Sequence, residues 1–447
     1  MSSDTTPETV AERLARAAET AGAQSYDVLA VASVTTGIGV RAGALEDVES
    51  SGGLDVGLRV LMDRRQAVVS GSDLSASALD ALAERAVAMA RVAPQDPYAG
   101  LAEAELLAGD PPDLDLADPE ALSPDDLEAR ALACEAAALS VSGVVQAEGA
   151  SASQTRSRFH LLTSEGFRGG WAGTRHTLGV SAYAQSDANM ERDYDHHSRR
   201  FLDELPSPEA VGRLAGERAV ARLGARQMES RTLSVLFERR VADSLLGAFL
   251  SAISGPSVAR GTSFLKDRLG ERIFPADMSI VDDPARPRAL GSRPFDGEGV
   301  VARPLTLVEN GVLRDWLLNT ASARKLGLRT NGRARRGVGS PPGVGATNCW
   351  IPAGERSPDA LRRAMGEGLQ ITEMFGPSLN ANTGDYSVGV AGFAIRGGRI
   401  DHPVSEITVA GNLLDMFASL EPASDLVFDG AVVSPSLLVP ALTVAGR

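Results

Sequence analysis

The sequence is poor in the residues from which most catalytic sites are built. Its 447 residues include five histidines and two cysteines, and aromatic residues make up only 4%. The cysteines, Cys134 and Cys349, cannot form a disulfide framework and stand in no CxxC pair of the kind used for structural zinc or redox exchange. That usage reads as cytosolic. No apolar run approaches the roughly 18 residues of a membrane span. The stretch Met1 to Glu8 is polar and acidic, unlike the basic and then apolar start of a signal peptide. A cytoplasmic location with no membrane partner is expected. Basic charge is also short: 44 Lys+Arg against 58 Asp+Glu leave a formal charge of −14. A phosphate-binding face normally needs the opposite balance, so no nucleic-acid partner is expected. Lys266 and Lys325 are the only lysines, which we read as the mark of a GC-rich genome rather than of function.

The five histidines are His160, His176, His196, His197 and His402. A metallopeptidase helix carries His-Glu and a second His one turn later, because that spacing puts two imidazoles on one face beside the activating carboxylate. No histidine here precedes a glutamate. His196 and His197 are adjacent, so their side chains diverge; with Asp193, Tyr194, Asp195, Arg199 and Arg200 around them they read as a solvated or partner-facing strand. His402, beside Pro403, reads as structural. The Gly-x-Ser-x-Gly elbow is absent, and the Gly-rich stretch at 337–345 lacks the spacing of a phosphate cradle. Acidic pairs such as Asp282-Asp283 are expected by chance in so acidic a chain. From its residues the chain shows no catalytic set and no metal-ligand set.

What is present suits a globular protein: 43% apolar and 23% charged residues, and a length suggesting about three domains. Thr6 and Pro7 start a helix bearing Val10, Leu14 and Ala17 on one face, and Ser75 starts another with Leu79, Leu82, Ala86 and Met89. Between them Tyr26 to Ser33, Gly37 to Arg41, Leu45 to Ser51 and Leu54 to Met62 read as short strands of a meander. The breaks fall at Thr35-Thr36-Gly37, Gly43 and Gly52-Gly53. The Pro- and Asp-rich stretch Pro94 to Pro124 reads as a linker, and Ser123-Pro124-Asp125-Asp126 as a helix start that makes Cys134 a core residue.

β-like runs follow at Val144 to Ala152, Thr155 to Thr163, Phe167 to Tyr183 and Met190 to Ser198, broken at Ser164-Glu165-Gly166 and Asp187-Ala188-Asn189. They suggest a second antiparallel unit closed by a helix from Pro208 to Ala225. Farther on, Glu309-Asn310-Gly311 joins Pro304–Val308 to Val312–Leu318, and Gly397-Gly398 joins Ser387–Ile395 to Arg399–His402, each as a hairpin. Gly332 to Gly345 reads as a flexible surface loop. The expected class is α+β: a helix/antiparallel-sheet domain with linker over 1–118, a β-rich middle domain over 119–229, and a larger sheet-rich domain over 230–447.

An ordered series of segments carries a resemblance. It comprises Thr35-Thr36-Gly37-Ile38, Asp73-Leu74-Ser75, Asp113-Leu114-Asp115-Leu116, Met190-Glu191-Arg192-Asp193-Tyr194 and Pro294-Phe295-Asp296-Gly297-Glu298-Gly299. It continues through Ser322 to Leu328, Thr383-Gly384-Asp385-Tyr386-Ser387, Gly392-Phe393 and Pro403 to Asn412. Together these resemble the TldD/PmbA family, in its PmbA (TldE) branch, over nearly the whole chain. The resemblance implies a heteromeric peptidase in which a TldD-type subunit holds zinc in a His-Glu-x-x-x-His site, and a TldE-type subunit pairs with it. The family is associated with maturing ribosomally made peptides and with degrading unfolded or antitoxin-like ones.

In the catalytic branch the metal helix precedes an Arg-Gly-Thr-Ser segment and a cysteine near the C-terminus completes the ligands. Here Arg260-Gly261-Thr262-Ser263 is present, but Leu245 to Ile253 before it is small and apolar, the tail Val432 to Pro440 has no cysteine, and Cys349 lies far upstream. Zinc needs about three protein donors, so none is expected in this chain and zinc is expected in the partner. Gly384, Asp385, Tyr386 and Ser387 are the candidate substrate-binding residues, on the view that the strand after them offers an exposed edge to extended peptide; the plain alternative is a paired core strand with Gly384 in its turn. Arg192, Asp193 and Tyr194 are the candidate partner interface. A regulatory or peptide-binding role without peptidase involvement, such as gyrase modulation, is the second reading.

Overall fold

A computed structural model describes residues 5–186 and 189–446. Residues 1–4 of the polar N-terminal stretch, and Asp187 and Ala188 of the expected turn, lie outside the described residues. Helix α1 (Pro7–Thr20) starts where expected. The Thr6 hydroxyl accepts from the Thr9 amide at 3.3 Å, and the Thr9 hydroxyl accepts from the Thr6 amide at 3.0 Å. α2 (Ala76–Val92) is capped by Ser75, α3 (Pro124–Leu139) by a Ser123/Asp126 capping box, and α4 (Pro208–Ala221) by Ser207. α4 stops four residues short of the expected Ala225, and Gly224 takes a left-handed φ of 76° in the turn that follows.

The strands between these helices are longer and fewer than the sequence suggests. β1 (Ser25–Arg41), β2 (Ala44–Met62), β3 (Arg65–Gly71), β4 (Val144–Thr163), β5 (Arg168–Gln185) and β6 (Met190–Arg199) form one antiparallel sheet in the order β3-β2-β1-β4-β5-β6. Of the breaks expected before residue 62, only the one at Ala42-Gly43 is a turn, with φ of 52° and 74°. Thr35, Thr36 and Gly37 instead face Ser51, Ser50 and Glu49 on one side and Thr155, Gln154 and Ser153 on the other. Their backbone groups are spent in the ladder, which polar side chains and glycine do not prevent when both neighbours are in place. The runs expected to form a second unit extend this same sheet, because β1 pairs with β4 from Asp27 to Val40. One face carries two separate apolar cores, Val28, Val56, Leu58 and Leu162 beneath α1 and α2, and Ile38, Val40, Leu178 and Val180 beneath α3 and α4.

The C-terminal half is built round a closed ring. β7 (Arg231–Phe237) leads into α5 (Arg239–Ala252) and α6 (Gly255–Arg260). Short strands follow: β8 (Ile280–Asp282), β9 (Leu305–Glu309), β10 (Val312–Leu313), β11 (Ala334–Arg335), β12 (Gly343–Val344) and β13 (Cys349–Trp350). Last come β14 (Gly368–Leu379), β15 (Asp385–Arg396), β16 (Arg399–Asn412), β17 (Glu421–Pro422), β18 (Val432–Val433) and β19 (Leu437–Ala445). β16-β15-β14-β7-β19 are hydrogen-bonded in that order, and β16 pairs back to β19, so five strands close into a barrel. Both expected hairpins are present: Asn310 and Gly311 have φ of 50° and 77°, and Gly397 and Gly398 of 58° and 73°. α5 packs on the barrel with Val241, Leu245, Leu246 and Phe249 buried.

The Gly-rich stretch from Gly332 to Gly345 is not a flexible surface loop. β11 and β12 make it a small hairpin whose tip is exposed and whose base is buried between the sheet and the C-terminal half. Arg333 is fully buried, donating to the carbonyls of Arg303 at 2.7 Å and Asp282 at 3.1 Å and paired with the Asp282 carboxylate. The Arg336 side chain, 1% exposed, is paired with Asp27 of β1, which also accepts from Arg59 Nε of β2 at 2.6 Å. Glycine is needed for close approach rather than for flexibility: a Cβ on Gly57 of β2 would sit 2.0 Å from the Val338 carbonyl oxygen, and one on Gly297 2.8 Å from the Arg336 amide. Beside the ion pairs, Leu29, Leu161, Phe167 and Phe295 form an apolar cluster with Val338.

Two substitutions read out this junction. Asp27→Asn leaves two buried guanidiniums without their carboxylate and should cost about 3–5 kcal/mol. Arg336→Met leaves Asp27 its Arg59 partner and should cost distinctly less. Denaturant unfolding followed by tryptophan fluorescence checks the order.

Candidate functional site

The junction brings the outer edge of β6 opposite the first turns of α5. Between them, closed by residues 429–434, lies a cavity of ≈ 290 Å³ lined by Tyr194, Asp195, His196, His197, Arg218, Arg239, Arg240, Asp243 and Asp429. β6 ends its sheet, with β5 as its strand partner among the described residues, so its far edge carries no second strand, although at Tyr194 the amide already donates to Asp193 Oδ1 at 2.7 Å. The Tyr194 carbonyl accepts from Arg218 Nη1 and Arg240 Nη1, each at 3.3 Å.

Most charges in the cleft are matched. Asp195 takes Arg218 Nη1 at 2.7 Å and His197 Nε2 at 2.9 Å. Burial would raise its pKa, but the His197 hydrogen bond and the Arg218 charge outweigh that and hold it below the usual carboxylate range. Arg239 pairs with Asp429 at 2.9 Å, and Arg240 with Glu238 and Asp193, both at 2.8 Å. Burial, and then His197 beside it, lowers the pKa of His196. Asp243 has no cationic partner within ion-pair distance among the described residues, and burial, with Asp429 adding to it, pushes its carboxyl up to about 6.

The expected residues are distributed unevenly about this cleft. Tyr194 lines it, its ring flanked by the guanidinium carbons of Arg240 at 5.7 Å and Arg192 at 6.0 Å. Asp193, only 3% exposed, is taken up within the chain by Arg240 and Arg222. Arg192 reaches Glu373 of β14 at 3.2 Å, and Arg222 joins the same carboxylate, so this group ties the sheet to the barrel. Arg192 and Tyr194 keep exposed surface; Asp193 has none to offer a partner.

Gly384 takes φ +82° in the turn, and Asp385 is exposed, accepting from Thr383 Oγ1 at 2.6 Å and Asn412 Nδ2 at 3.1 Å. Those two hydrogen bonds, Thr383 first, lower its pKa. The Tyr386 ring is buried against the core, its pKa pushed up to about 12 by that burial, and Ser387 is half-buried. The free strand edge expected here is absent. β15 is flanked by β14 and β16, with Tyr386 facing Leu379 and Gly411, and Ser387 facing Ser378 and Ala410. Alternation of side chains looks the same in a central strand and an edge strand, so the pattern could not tell them apart. The strand edge that faces α5 belongs instead to β6, which the sequence marked only as a strand crowded with charge.

On α5 the buried stripe faces the barrel, while Asp243, Ser244, Gly247 and Ala248 lie on the more accessible side. These side chains do not fit a zinc site: among the described residues no three His, Cys, Asp or Glu side chains group to hold a metal ion. The fold brings Cys349 next to the tail after all, since it pairs in parallel with Val432. It is fully buried there, with its thiol pKa raised by burial. Cys134 is a core residue between α3 and α4, its pKa pushed up to about 12. No helix among the described residues is long and apolar enough to cross a membrane.

A three-part chain with this sheet, barrel and cleft has relatives. It matches the domain signatures of the PmbA/TldA metallopeptidases in order: domain 1 over residues 26–90, the central domain over 117–223 and the C-terminal domain over 230–446. The chain belongs to the TldD/PmbA family, in its PmbA/TldE branch. It is 37% identical to the metalloprotease PmbA of Escherichia coli O157:H7, covering 98% of this chain and 96% of that one. A PmbA homologue of Haemophilus influenzae is 34% identical over 92% of this chain and 90% of its own. Among solved structures, TldE from Thermococcus kodakarensis superposes with a TM-score of 0.86 at 19% identity, covering 98% of this chain and all of that one, and so shares the fold.

The pKa of Asp243 has a measurable consequence. A carboxyl that ionises at about 6 in the folded chain and at 3.8 unfolded favours folding while protonated. That contribution is complete below about pH 4 and lost as pH rises through about 6. Asp243→Asn cannot ionise, so at pH 7.5 it should stabilise the fold by an amount on the order of 1–2 kcal/mol, seen as a higher melting temperature, and leave the melting temperature nearly unchanged at pH 4. Thermal denaturation across that range is the check.

Proposed function

We propose that this chain is the non-catalytic subunit of a TldD/TldE-type heteromeric zinc metallopeptidase that cleaves peptides or unfolded polypeptides, in peptide maturation or in degrading antitoxin-like chains. The observation that carries the reading is the chemistry of α5. In the catalytic branch the helix before Arg-Gly-Thr-Ser bears the metal ligands; here the residues from Leu245 to Ile253 are apolar or small, and the accessible side offers Asp243 as its one acidic group. A helix with one carboxylate and no imidazole or thiol cannot supply the three or so donors zinc requires, so the zinc and the activating glutamate are assigned to a TldD-type partner.

This chain would then contribute substrate binding. An extended peptide can hydrogen-bond along the open edge of β6 through its main chain, without its sequence being read, which suits substrates that are unfolded. Arg239, Arg240 and Asp243 opposite that edge supply polar side chains for its flanks. The exposed faces of Arg192 and Tyr194 beside the cleft are where the partner would close over it.

Metal analysis and reconstitution test the assignment together. The isolated chain should carry well under one zinc per molecule and leave unfolded casein intact, while mixing with a His-Glu-x-x-x-His subunit from the same genome should give a complex that cleaves it. Stoichiometric zinc in the chain alone, or cleavage by it alone, overturns the proposal.

A further inference from the structure

The segment that closes the cleft has a second cavity on its other side. This one, of ≈ 220 Å³, shares Gly430 and Val433 with the cleft and is lined by Arg199, Arg200, Arg286 and Arg288 together with Trp350 and Phe428. In a chain with a charge of −14, carboxylates are in excess of cations. Arg288 finds two of them, pairing with Asp115 at 2.6 Å and Glu204 at 3.5 Å. Arg199, Arg200 and Arg286 have no ion-pair partner among the described residues.

Each of the three is held by something other than a carboxylate. Arg200 is 8% exposed and donates to the carbonyls of Leu290 at 3.0 Å, Thr174 at 3.4 Å and Ala289 at 3.5 Å. Carbonyl dipoles satisfy its N–H groups without neutralising its charge. Burial, and then the nearby charge of Arg175, push its pKa down to about 10. Arg199 Nη1 donates to the Ser198 carbonyl at 2.8 Å and to the Asp429 carbonyl at 3.3 Å, reaching the segment that borders the cleft. The Arg286 guanidinium carbon lies 3.7 Å from the ring centroid of Phe428 and 4.9 Å from that of Trp350. The rings hold it in place through cation–π contact, and its donors meet no protein acceptor among the described residues.

One carboxylate, Glu204, also lines the pocket, but it is turned to Arg288, so Arg199, Arg200 and Arg286 are left without an anion. A carboxylate among these guanidiniums would accept the free donors of Arg286 and neutralise charge that the protein leaves unmatched; guanidinium–carboxylate hydrogen bonds are among the strongest available to a peptide. The volume suits one side chain or one chain end rather than a polyanion, and the rings of Trp350 and Phe428 give the carbon atoms beside the carboxylate an apolar wall.

We propose that this pocket binds a carboxylate of the peptide substrate whose main chain lies in the adjoining cleft, selecting peptides that carry a C-terminal carboxylate or an acidic side chain. The assignment rests on the peptide-binding reading of the cleft. Fluorescence anisotropy with the full-length chain tests it, using three labelled peptides of one neutral sequence: with a free C-terminal carboxylate, with a C-terminal amide, and with the amide plus one internal glutamate.

At least one acidic peptide should bind about tenfold more tightly than the neutral amide, and which one does identifies the source of the carboxylate. Arg286→Gln and Arg199→Gln, each checked for unchanged circular dichroism, should remove that advantage while leaving affinity for the neutral amide as it was. Equal binding of all three peptides, or an advantage that survives in both variants, overturns the pocket assignment and leaves the cleft reading standing. Absence of binding by every peptide overturns both.

Discussion

The structure depends on one buried carboxylate. Asp27, in the middle of the six-stranded sheet, is held by Arg59 from the neighbouring strand and by Arg336 from the Gly-rich hairpin of the C-terminal half. A carboxylate or a guanidinium left alone in that environment would carry a large desolvation penalty, so the pairing is required once the two halves close. It is also specific in register. The apolar contact of Phe295 with Phe167, at 4.9 Å between ring centroids, tolerates small sliding, whereas a guanidinium–carboxylate pair is directional. Glycines at 57 and 297 let the hairpin backbone approach the sheet closely.

This docking gives the Pro294 to Gly299 segment its role. Asp296 accepts from the amides of Glu298 at 2.9 Å, Val300 at 3.0 Å and Ala334 at 2.9 Å, and Glu298 accepts from the amide and hydroxyl of Thr320, both at 2.8 Å. Burial, and then Glu298 beside it, raises the pKa of Asp296. A motif rich in acidic residues and glycine would invite a catalytic reading. Here its carboxylates are consumed by backbone amides that fix the hairpin from below.

The same docking creates the cleft. Arg222 and Arg240 bridge from the helix layer and α5 to Asp193 on β6, and Arg192 and Arg222 reach Glu373 on the barrel. These pairs hold the open edge of β6 at a set distance from α5. Barrel closure removes the competing edges, since every long strand of that ring has a neighbour on both sides. The strand edge that faces α5 is therefore that of β6, and it lies between polar side chains already oriented by one another.

Much of this was legible in the residues, and what was not has a common cause. Thr6, Ser75, Ser123 and Ser207 mark helix starts, and Asn310-Gly311 and Gly397-Gly398 mark hairpins, because a cap or a left-handed turn is decided by one to four consecutive residues. The apolar sequence of α5 showed directly that it carries no imidazole for zinc. The continuity of β1 through Thr35–Gly37, the central place of Tyr386 and Ser387, and the burial of Arg333 and Arg336 could not be read in this way. Each depends on a partner far along the chain: Thr155 for Thr35, Ala410 for Ser387, Asp27 for Arg336. The sequence by itself determined the helix starts, the tight hairpin turns and the family. Only the tertiary structure decided which strand edge is open and which charges are spent, because pairing and desolvation are properties of residues brought together by folding.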